Sequence, residues 1–167
     1  MGFDLPSESQ WEFACRAGNG DGKWGDGSLI LDATTDGNLP GRYARNGGKI
    51  GGTAAPDAAT ATSENGTAVA GSYAPNSWGL YDMHGNVWEW CLDFYQASMQ
   101  MADGSVNVKQ TDPTKKLDGS SGGNRIKRGG SWAQDAKWCR SAYREDHGVS
   151  SRSSENGFRL VCTAGLE

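Results

Sequence analysis

The spacing of apolar residues near the start of the chain predicts one helix. Ser7 is a good N-cap, and Gln10 three residues later completes a capping box. Gly18 is a natural stop after the last turn. Apolar side chains between these signals recur at i, i+3 and i+4, and therefore share one helix face: Trp11, Ala14 and Cys15. Together these features predict a helix over residues 8–17.

Four short segments have the pattern of strands. They are residues 69–73, 125–132, 139–144 and 157–162. The second should break at its glycine pair, and the last should present Phe158 and Leu160 on one side. Residues 133–155 contain almost no aliphatic side chains, so this segment cannot bury itself. We expect it at the surface, carried by the strands around it.

Residues 79–91 combine aromatic, acidic and turn-forming residues in a mixture that no regular helix or strand requires. Gly85 and Asn86 form a turn pair, because both tolerate positive φ. Trp88 and Trp90 lie one strand period apart and should face the same side of a strand. Three side-chain oxygens close to the turn indicate a cation-binding loop: Asp82, Asn86 and Glu89. Four large aromatic side chains are assigned to the core: Trp88, Trp90, Trp132 and Phe158.

The composition predicts a fold dominated by loops. Among 167 residues there are 25 glycines and only 36% apolar residues, so long helices and strands can account for little of the chain. Residues 18–71 and 92–124 are expected to be long irregular segments, with one short apolar run at 29–31. The seven tryptophans supply a small aromatic core. The length fits one domain, assigned to residues 1–167.

Charge and cysteine spacing exclude several classes of protein. A formal charge of −4 with no basic face argues against a nucleic-acid-binding protein. No apolar run is long enough to cross a membrane, so direct membrane insertion is not expected. The cysteines are not in C-x-x-C spacing, which excludes a zinc ribbon. Three disulfide pairings and four buried thiols all remain open for these residues: Cys15, Cys91, Cys139 and Cys162.

Six motifs occur in order along the chain. They are Leu-Pro-Ser-Glu-Ser-Gln-Trp-Glu-Phe (5–13), Pro-Asn-Ser-Trp-Gly-Leu-Tyr-Asp-Met (75–83), Gly-Asn-Val-Trp-Glu-Trp (85–90), Arg-Gly-Gly-Ser-Trp (128–132), Cys-Arg-Ser-Ala-Tyr-Arg (139–144) and Gly-Phe-Arg-Leu (157–160). Together they resemble the formylglycine-generating-enzyme (sulfatase-modifying factor) domain family. The resemblance implies an α+β fold, the C-type lectin fold of the formylglycine-generating-enzyme type, loop-rich with short strands and few helices. The family has a further segment before the first motif, so we expect a shortened member or a trimmed piece.

Two of the three functions that the resemblance implies are enzymatic. The family's oxidases convert a substrate cysteine to formylglycine and bind copper(I) through two cysteines after Arg-Gly-Gly-Ser. Copper(I) needs such soft thiolates, but residues 132–139 hold only Cys139. The related ergothioneine-type sulfoxide synthases need a histidine-based iron site, and this chain has only His84 and His147, far apart. Both functions are disfavoured, and a copper oxidase or other enzyme of the family is kept as the alternative.

The third function is a ligand-binding display scaffold, as in the variable proteins of diversity-generating retroelements. In those proteins the ligand-facing residues lie between Arg-Gly-Gly-Ser-Trp and Gly-Phe-Arg. Fixed scaffold positions here would be Trp132, Ala136, residues 139–142, Arg144 and Arg152. The display positions would be Ala133, Gln134, Asp135, Lys137, Trp138, Tyr143, Glu145, Asp146, His147, Ser153, Ser154 and Glu155.

The chemistry of the display positions favours binding over catalysis. They mix aromatic, charged and small polar side chains, as antibody paratopes do, whereas an enzyme site converges on one chemistry. Trp138 and Tyr143 are expected to be the main affinity anchors. We therefore predict a non-enzymatic protein whose ligand is a protein, with the cell surface or extracellular space favoured over the cytoplasm. A non-catalytic family member with an ordinary loop over residues 133–155 is the other alternative.

The resemblance also implies a structural calcium site in the loop of residues 82–89. Its ligands would be the side chains of Asp82 and Glu89 and the backbone carbonyls of Gly85 and Val87. Calcium takes six to eight oxygens in irregular geometry, so this set with waters suffices. Alternatively, Asp82 caps the turn and Glu89 pairs with an arginine. The family's second calcium site has no matching motif in residues 19–66.

Two further structural roles are implied. Related enzymes link a cysteine after the first helix to one in the later segment, so the resemblance implies a Cys15–Cys139 disulfide. Arg144 and Arg159 are expected to brace loops through hydrogen bonds to carboxylates or carbonyls.

Overall fold

The computed structural model describes residues 2–20, 41, 66–95, 123–134 and 136–163. In these ranges the chain forms one α-helix, six short strands and one 3₁₀ turn. The elements are, in order, β1 (Gly2–Asp4), α1 (Glu8–Arg16), β2 (Trp88–Phe94), β3 (Asn124–Arg128), the 3₁₀ turn (Ala136–Trp138), β4 (Glu145–Gly148), β5 (Asn156–Gly157) and β6 (Val161–Thr163). The apolar run at 29–31 and most of the two predicted irregular segments lie outside the described residues.

Helix α1 begins and ends as the sequence predicts. The Ser7 hydroxyl accepts from the Gln10 amide at 3.2 Å, and the Gln10 side chain accepts from the Ser7 amide at 2.8 Å. This reciprocal capping box satisfies two of the backbone donors that a helix start leaves unpaired. Ala17 takes a left-handed conformation after the last turn, and its amide donates to the Phe13 carbonyl at 3.2 Å.

The strands form a four-stranded sheet in the order β4-β3-β2-β5 and a two-stranded sheet, β1-β6. Strand β3 pairs antiparallel with both β2 and β4, whereas β5 pairs parallel with β2. The two-stranded sheet joins the start of the described chain to its end, with Phe3 opposite Cys162. The large sheet therefore has two faces, and each takes alternate residues of β2 and β3.

The inner face of the large sheet packs against α1 and forms the core. Its buried residues meet the buried side of the helix in one cluster: Trp11, Cys15, Met83, Cys91 and Ile126. Arg128 and its cross-strand partner Glu89 point to the same face. The Trp11 indole donates to the Glu89 carboxylate at 2.6 Å, so the aromatic core also carries a buried polar contact.

The outer face of the sheet carries both tryptophans of the Trp-Glu-Trp motif. The Lys127 ammonium lies 5.4 Å from the Trp88 ring centroid and 5.6 Å from that of Trp90. One side chain contacts both rings, which confirms that the two tryptophans face the same side of β2. Trp88 is buried as predicted, whereas Trp90 is half-buried.

Two predicted strands are wrong. Residues 69–73 form a turn in which the Ser72 amide donates to the Val69 carbonyl at 3.1 Å, and the sequence there lacks a strand partner in the described residues. Residues 139–144 also form turns, since the Tyr143 amide donates to the Arg140 carbonyl at 3.0 Å. The strand in this region is β4, which starts at Glu145, directly after the predicted segment ends, and pairs with β3. Strand β2 runs through Phe94, so the irregular segment expected from residue 92 begins later.

The predicted final strand is divided between the two sheets. Residues 156–157 pair with β2 and residues 161–163 pair with β1, so the backbone changes sheets over residues 158–160. Phe158 and Leu160 are 64% and 56% exposed, and the prediction that Phe158 belongs to the core is wrong. Between them Arg159 turns inward to Glu89.

None of the four cysteines is in a disulfide, so the bond implied between Cys15 and Cys139 is not formed. Cys15, Cys91 and Cys139 are buried, and Cys162 is exposed on β6. Burial raises the pKa of the Cys15 thiol to about 12 and also raises the pKa of Cys91. Thiols held in the protonated form are poor nucleophiles and poor metal ligands.

Candidate ligand-binding site

The display segment, residues 133–155, is fastened to the core through the buried guanidinium of Arg128. This group donates to the carbonyls of Tyr143 at 2.6 Å and Ser141 at 2.7 Å. It also binds the Glu12 carboxylate and lies 5.4 Å from the Trp11 ring centroid. One side chain of β3 therefore joins helix α1 to the middle of the display segment.

A second arginine fixes the same segment to the start of α1. The Arg144 guanidinium donates to both carboxylate oxygens of Glu8, at 2.6 and 2.8 Å. Two parallel hydrogen bonds fix orientation as well as distance. This contact confirms the role predicted for Arg144.

A cavity of about 380 Å³ lies between the outer face of the large sheet and the display segment. The sheet contributes residues from β2, β3, β4 and β5, and the display segment closes the sides. The lining residues are Trp88, Lys127, Gln134, Trp138, Tyr143, Glu145, His147, Ser151, Ser153, Glu155 and Asn156.

Seven of the twelve predicted display residues line this cavity. They are Gln134, Trp138, Tyr143, Glu145, His147, Ser153 and Glu155. Asp135 lies outside the described residues, and the remaining four are not part of the lining: Ala133, Lys137, Asp146 and Ser154.

Burial separates four of the eight predicted scaffold positions from the predicted display positions. None of the display residues in the described ranges is buried. Trp132, Ala136, Cys139 and Ser141 are buried, as scaffold positions should be. Ala142 and Arg152 are exposed, so packing does not explain the scaffold role predicted for them.

Three aromatic rings form one wall of the cavity. The centroids of Trp88 and Tyr143 are 6.0 Å apart with the rings tilted by 45°. Trp138 meets Tyr143 edge-on, with centroids 4.7 Å apart and an interplanar angle of 69°. The Lys137 ammonium lies 4.8 Å from the Trp138 centroid. This row presents flat apolar surface beside polar groups, an arrangement common at binding hot spots.

The polar groups of the cavity lie at two depths. Lys127, only 3% exposed, donates from its ammonium to the Asn156 side-chain oxygen at 3.1 Å, and burial lowers its pKa. Glu145 and Glu155 are half-buried and lie nearer to solvent. The Tyr143 hydroxyl donates to Glu145 at 3.1 Å, and burial, followed by the charge of Glu145, raises its pKa to about 12.

Glu155 is held in place by two hydrogen bonds. Its Oε2 atom accepts from the Ser131 hydroxyl at 2.5 Å and from the Gln134 side chain at 3.2 Å. Ser131 belongs to the Arg-Gly-Gly-Ser-Trp motif and is fully buried. The fixed motif thus positions a predicted display residue.

Four lining residues were not among the predicted site residues: Trp88, Lys127, Ser151 and Asn156. Lys127 carried one usable signal, because it alternates with the buried Ile126 and Arg128 and must face the opposite side of the strand. Asn156 reaches the cavity through its parallel pairing with Trp88, which no local pattern indicates.

The residues that line the cavity can be checked for a nucleophile that is paired with a base. No cysteine lines the cavity. A serine nucleophile needs a base within hydrogen-bonding distance. Across the described ranges, no hydrogen bond joins the His147 ring to Ser151 or Ser153.

The loop predicted to bind calcium is built from tight turns fastened to the Gly129-Gly130 pair. Asp82, Gly85 and Asn86 all have positive φ, at 58°, 93° and 66°. The Gly85 amide donates to the Gly129 carbonyl at 2.7 Å. The turn predicted at Gly85-Asn86 is therefore confirmed.

The acidic residues of this loop have different surroundings. Glu89 binds the Arg159 guanidinium at 2.5 and 2.6 Å, which confirms the bracing role predicted for Arg159. One oxygen of Asp82 accepts from the Gly71 amide at 2.7 Å. The other is buried without a hydrogen-bond partner in the described part of the chain. In those ranges no three His, Cys, Asp or Glu side chains cluster as metal ligands would.

Comparisons with known proteins place the chain among relatives that are longer than it is. Residues 1–164 match the family model described as the sulfatase-modifying factor enzyme 1-like domain. The formylglycine-generating enzyme of Thermomonospora curvata is 30% identical over 163 residues, covering 96% of this chain and 49% of the relative. The chain thus spans about half the length of the curated relative it matches.

Two solved structures share the fold. Treponema denticola variable protein 1 superimposes with a TM-score of 0.63 at 29% identity, covering 95% of this chain and 47% of that protein. PvdO from Pseudomonas aeruginosa gives a TM-score of 0.63 at 26% identity, with coverages of 95% and 51%. These matches confirm the predicted fold class, a loop-rich α+β fold of the C-type lectin type. No helix in the described ranges has both the length and the apolar character needed to span a bilayer.

Proposed function

Because the chain belongs to the family of sulfatase-modifying factor enzyme 1-like domains, we propose that it is a non-enzymatic, ligand-binding member of that family. We propose further that it is a variable protein of the diversity-generating retroelement type, whose display segment binds a protein ligand. The observation that carries the proposal is the cavity, of which seven lining residues are predicted display positions. The likeness to Treponema denticola variable protein 1 supports the same assignment.

The alternative is a copper oxidase like the relatives named formylglycine-generating enzyme. Residues 132–139 supply a single cysteine where that chemistry needs two thiolates. Cys139 itself is buried, as are Cys15 and Cys91. These features support the binding function over the oxidase.

Sequencing sibling copies of the gene from related strains tests the proposed function. The twelve display positions should vary much more than the scaffold positions Trp132, Ala136, Cys139 and Ser141. Equal variation at both sets would remove the diversified-receptor assignment.

A biochemical experiment tests the oxidase alternative separately. The purified chain is incubated with copper(I) and a cysteine-containing peptide, and the peptide mass is followed. No formylglycine should form. Turnover of the peptide would establish the oxidase and overturn the non-enzymatic assignment.

We also propose that the loop of residues 82–89 binds a structural calcium ion. The buried, unpartnered oxygen of Asp82 supports this, because an ion would supply its missing partner. Glu89 would share its charge between the ion and Arg159, and the carbonyls of Gly85 and Val87 would complete the protein ligands.

Thermal unfolding tests the calcium proposal. Saturating calcium should raise the Tm relative to EDTA, since an ion that binds only the folded state adds about 2.7 kcal/mol at a hundred times its Kd. The Asp82→Asn variant should lose most of this increase. A Tm that is the same in calcium and EDTA would overturn the calcium proposal. The charge of Glu89 would then be balanced by Arg159 without an ion.

A further inference from the structure

The charges of the cavity define the chemistry of the ligand group that it accepts. One ammonium, that of Lys127, faces two carboxylates, those of Glu145 and Glu155, so these three groups together carry one net negative charge. The ammonium is at the floor and the carboxylates are nearer to solvent. A charged group that enters the cavity therefore meets the carboxylates first.

An anionic group is disfavoured by this layout. To reach Lys127 it would have to pass both carboxylates in a partly desolvated space, where like charges repel strongly. The Lys127 ammonium is also already occupied, because it donates to Asn156 and lies over the rings of Trp88 and Trp90. The Lys127 ammonium is thus engaged by neutral groups of the protein, while the lining of the upper part of the cavity holds two carboxylates. The Lys137 ammonium, 4.8 Å from the Trp138 ring centroid, is not part of this lining.

The aromatic wall favours a cation that is flat. Trp138 and Tyr143 present ring surface beside Glu145, and cations bind to such surfaces more strongly when water is excluded. A guanidinium stacks on aromatic rings and donates in its own plane to carboxylates, whereas an ammonium is compact and strongly hydrated. Among the described residues, the hydrogen bonds of Glu145 and Glu155 each use Oε2 and leave Oε1 available.

We propose that this cavity accepts an arginine side chain of the protein ligand, stacked against Trp138 and Tyr143 and hydrogen-bonded to Glu145 and Glu155. This inference rests on the proposed binding function and assigns the chemical class of the group that is bound. The four residues come from four separate places in the display segment, and β4 and the buried Ser131 hold the two carboxylates in position.

Peptide selection tests the inference. A phage library of random dodecapeptides is panned on the immobilised chain, with removal of phage that also bind the Trp138→Ala/Tyr143→Ala double variant. Peptides that depend on the cavity should be enriched in arginine. The best peptide is then synthesised with arginine and with citrulline, which has the same shape without the charge.

Binding of this pair is measured to the wild type, Glu145→Gln and Glu155→Gln. Each substitution should weaken the arginine peptide about tenfold or more, the scale of a hydrogen bond between charged groups. The citrulline peptide should bind weakly to all three proteins. Asp4→Asn, which removes a carboxylate on β1 of the other sheet, is the matched control and should change neither affinity.

The outcomes separate this inference from the proposed function. Cavity-dependent peptides that lack arginine, or that bind equally with citrulline, would overturn the arginine assignment and leave the binding function standing. Recovery of no cavity-dependent peptide would overturn both. Unchanged Tm values for the two Glu→Gln variants would show that any loss of affinity is not a loss of folding.

Discussion

Asp93 is a buried carboxylate on the inner face of β2, directly beneath the start of α1. Its Oδ2 atom accepts from the Glu8 amide at 2.5 Å, so the carboxylate caps the first turn of the helix from another element. Burial raises its pKa to about 6, the Glu8 hydrogen bond opposes this shift, and the charge of Glu8 adds to it. The Asp93 carboxylate is therefore mostly ionised at neutral pH, although its buried surroundings favour the protonated form.

This residue should make stability depend on pH. Because the folded pKa is above the ordinary value of 3.8, the folded state binds the proton more tightly, and the stabilising term is complete below pH 3.8 and lost as pH rises through about 6. Relative to Asp93→Asn, the wild type should gain on the order of 2 kcal/mol between pH 7 and pH 4. Urea unfolding across this range measures it. If the free energy of unfolding changed with pH equally in both proteins, the prediction would be contradicted. Arg144 and Glu8 are present in both proteins, so they cannot cause a difference between them.

For single residues, the sequence predicted hydrogen-bonding partners better than it predicted which side chains are buried. Arg144 and Arg159 were predicted to brace loops and do so, because an arginine beside fixed carboxylates has few alternatives. Phe158 was predicted in the core and is exposed, because its direction depends on which sheet the backbone joins there. That information lies in long-range pairing and not in the residues next to Phe158.

At the scale of elements, the Gly129-Gly130 pair ends β3 and turns the chain beneath the display segment. Both glycines have positive φ, at 92° and 76°. A Cβ at Gly130 would lie 2.8 Å from the Cα of Cys139, and one at Gly129 would lie 3.1 Å from the Trp11 ring. The pair is thus required both by its conformation and by the close approach of two other segments.

Two matched substitutions separate these requirements. Gly79 also has positive φ, at 78°, but nothing lies within 4 Å of an added Cβ. Gly79→Ala should therefore cost only the left-handed penalty of about 1–2 kcal/mol. Gly130→Ala should cost about 3 kcal/mol or more, because the backbone of Cys139 must also move. Equal losses in urea unfolding would show that the close approach adds nothing.

Helices and strands whose ends are marked by capping residues or glycines in the sequence were predicted well, and those without such residues were not. Helix α1 carries its own cap and stop, and β3 ends at a glycine pair, so both boundaries could be predicted. Strand β4 is polar throughout and exists because β3 offers it a hydrogen-bonding edge. Residues 139–144 looked more strand-like, yet Arg128 holds their carbonyls in turns.

At the scale of the whole molecule, the site is a product of sheet register. Lys127 stands opposite both Trp90 and Glu145, and Trp88 stands opposite Asn156. These pairings bring β2, β3, β4 and β5 together on one face, although their sequences are separated by up to about seventy residues. The family motifs predicted the display segment, but the floor of the cavity required the three-dimensional pairing.

Arg128 connects this face to the rest of the molecule. It is completely buried, and its partners lie on α1 and in the display segment: Glu8, Glu12, Ser141 and Tyr143. Removal of one member of a buried ion pair leaves an uncompensated charge. Here it would also remove the Arg128 donors from the carbonyls of Ser141 and Tyr143, so the aromatic wall would lose this support.

Arg128→Met should therefore destabilise the fold by about 3–5 kcal/mol. Arg16→Met is the matched control, because Arg16 binds the same Glu12 carboxylate at 2.7 Å but is partly exposed. Such a surface pair contributes about 0–1 kcal/mol, so the control should unfold near the wild-type urea concentration. Hydrogen exchange should accelerate in residues 141–148 of Arg128→Met and stay unchanged there in Arg16→Met. Similar stability losses in both variants would mean that Glu12, and not the link to the display segment, accounts for the importance of Arg128.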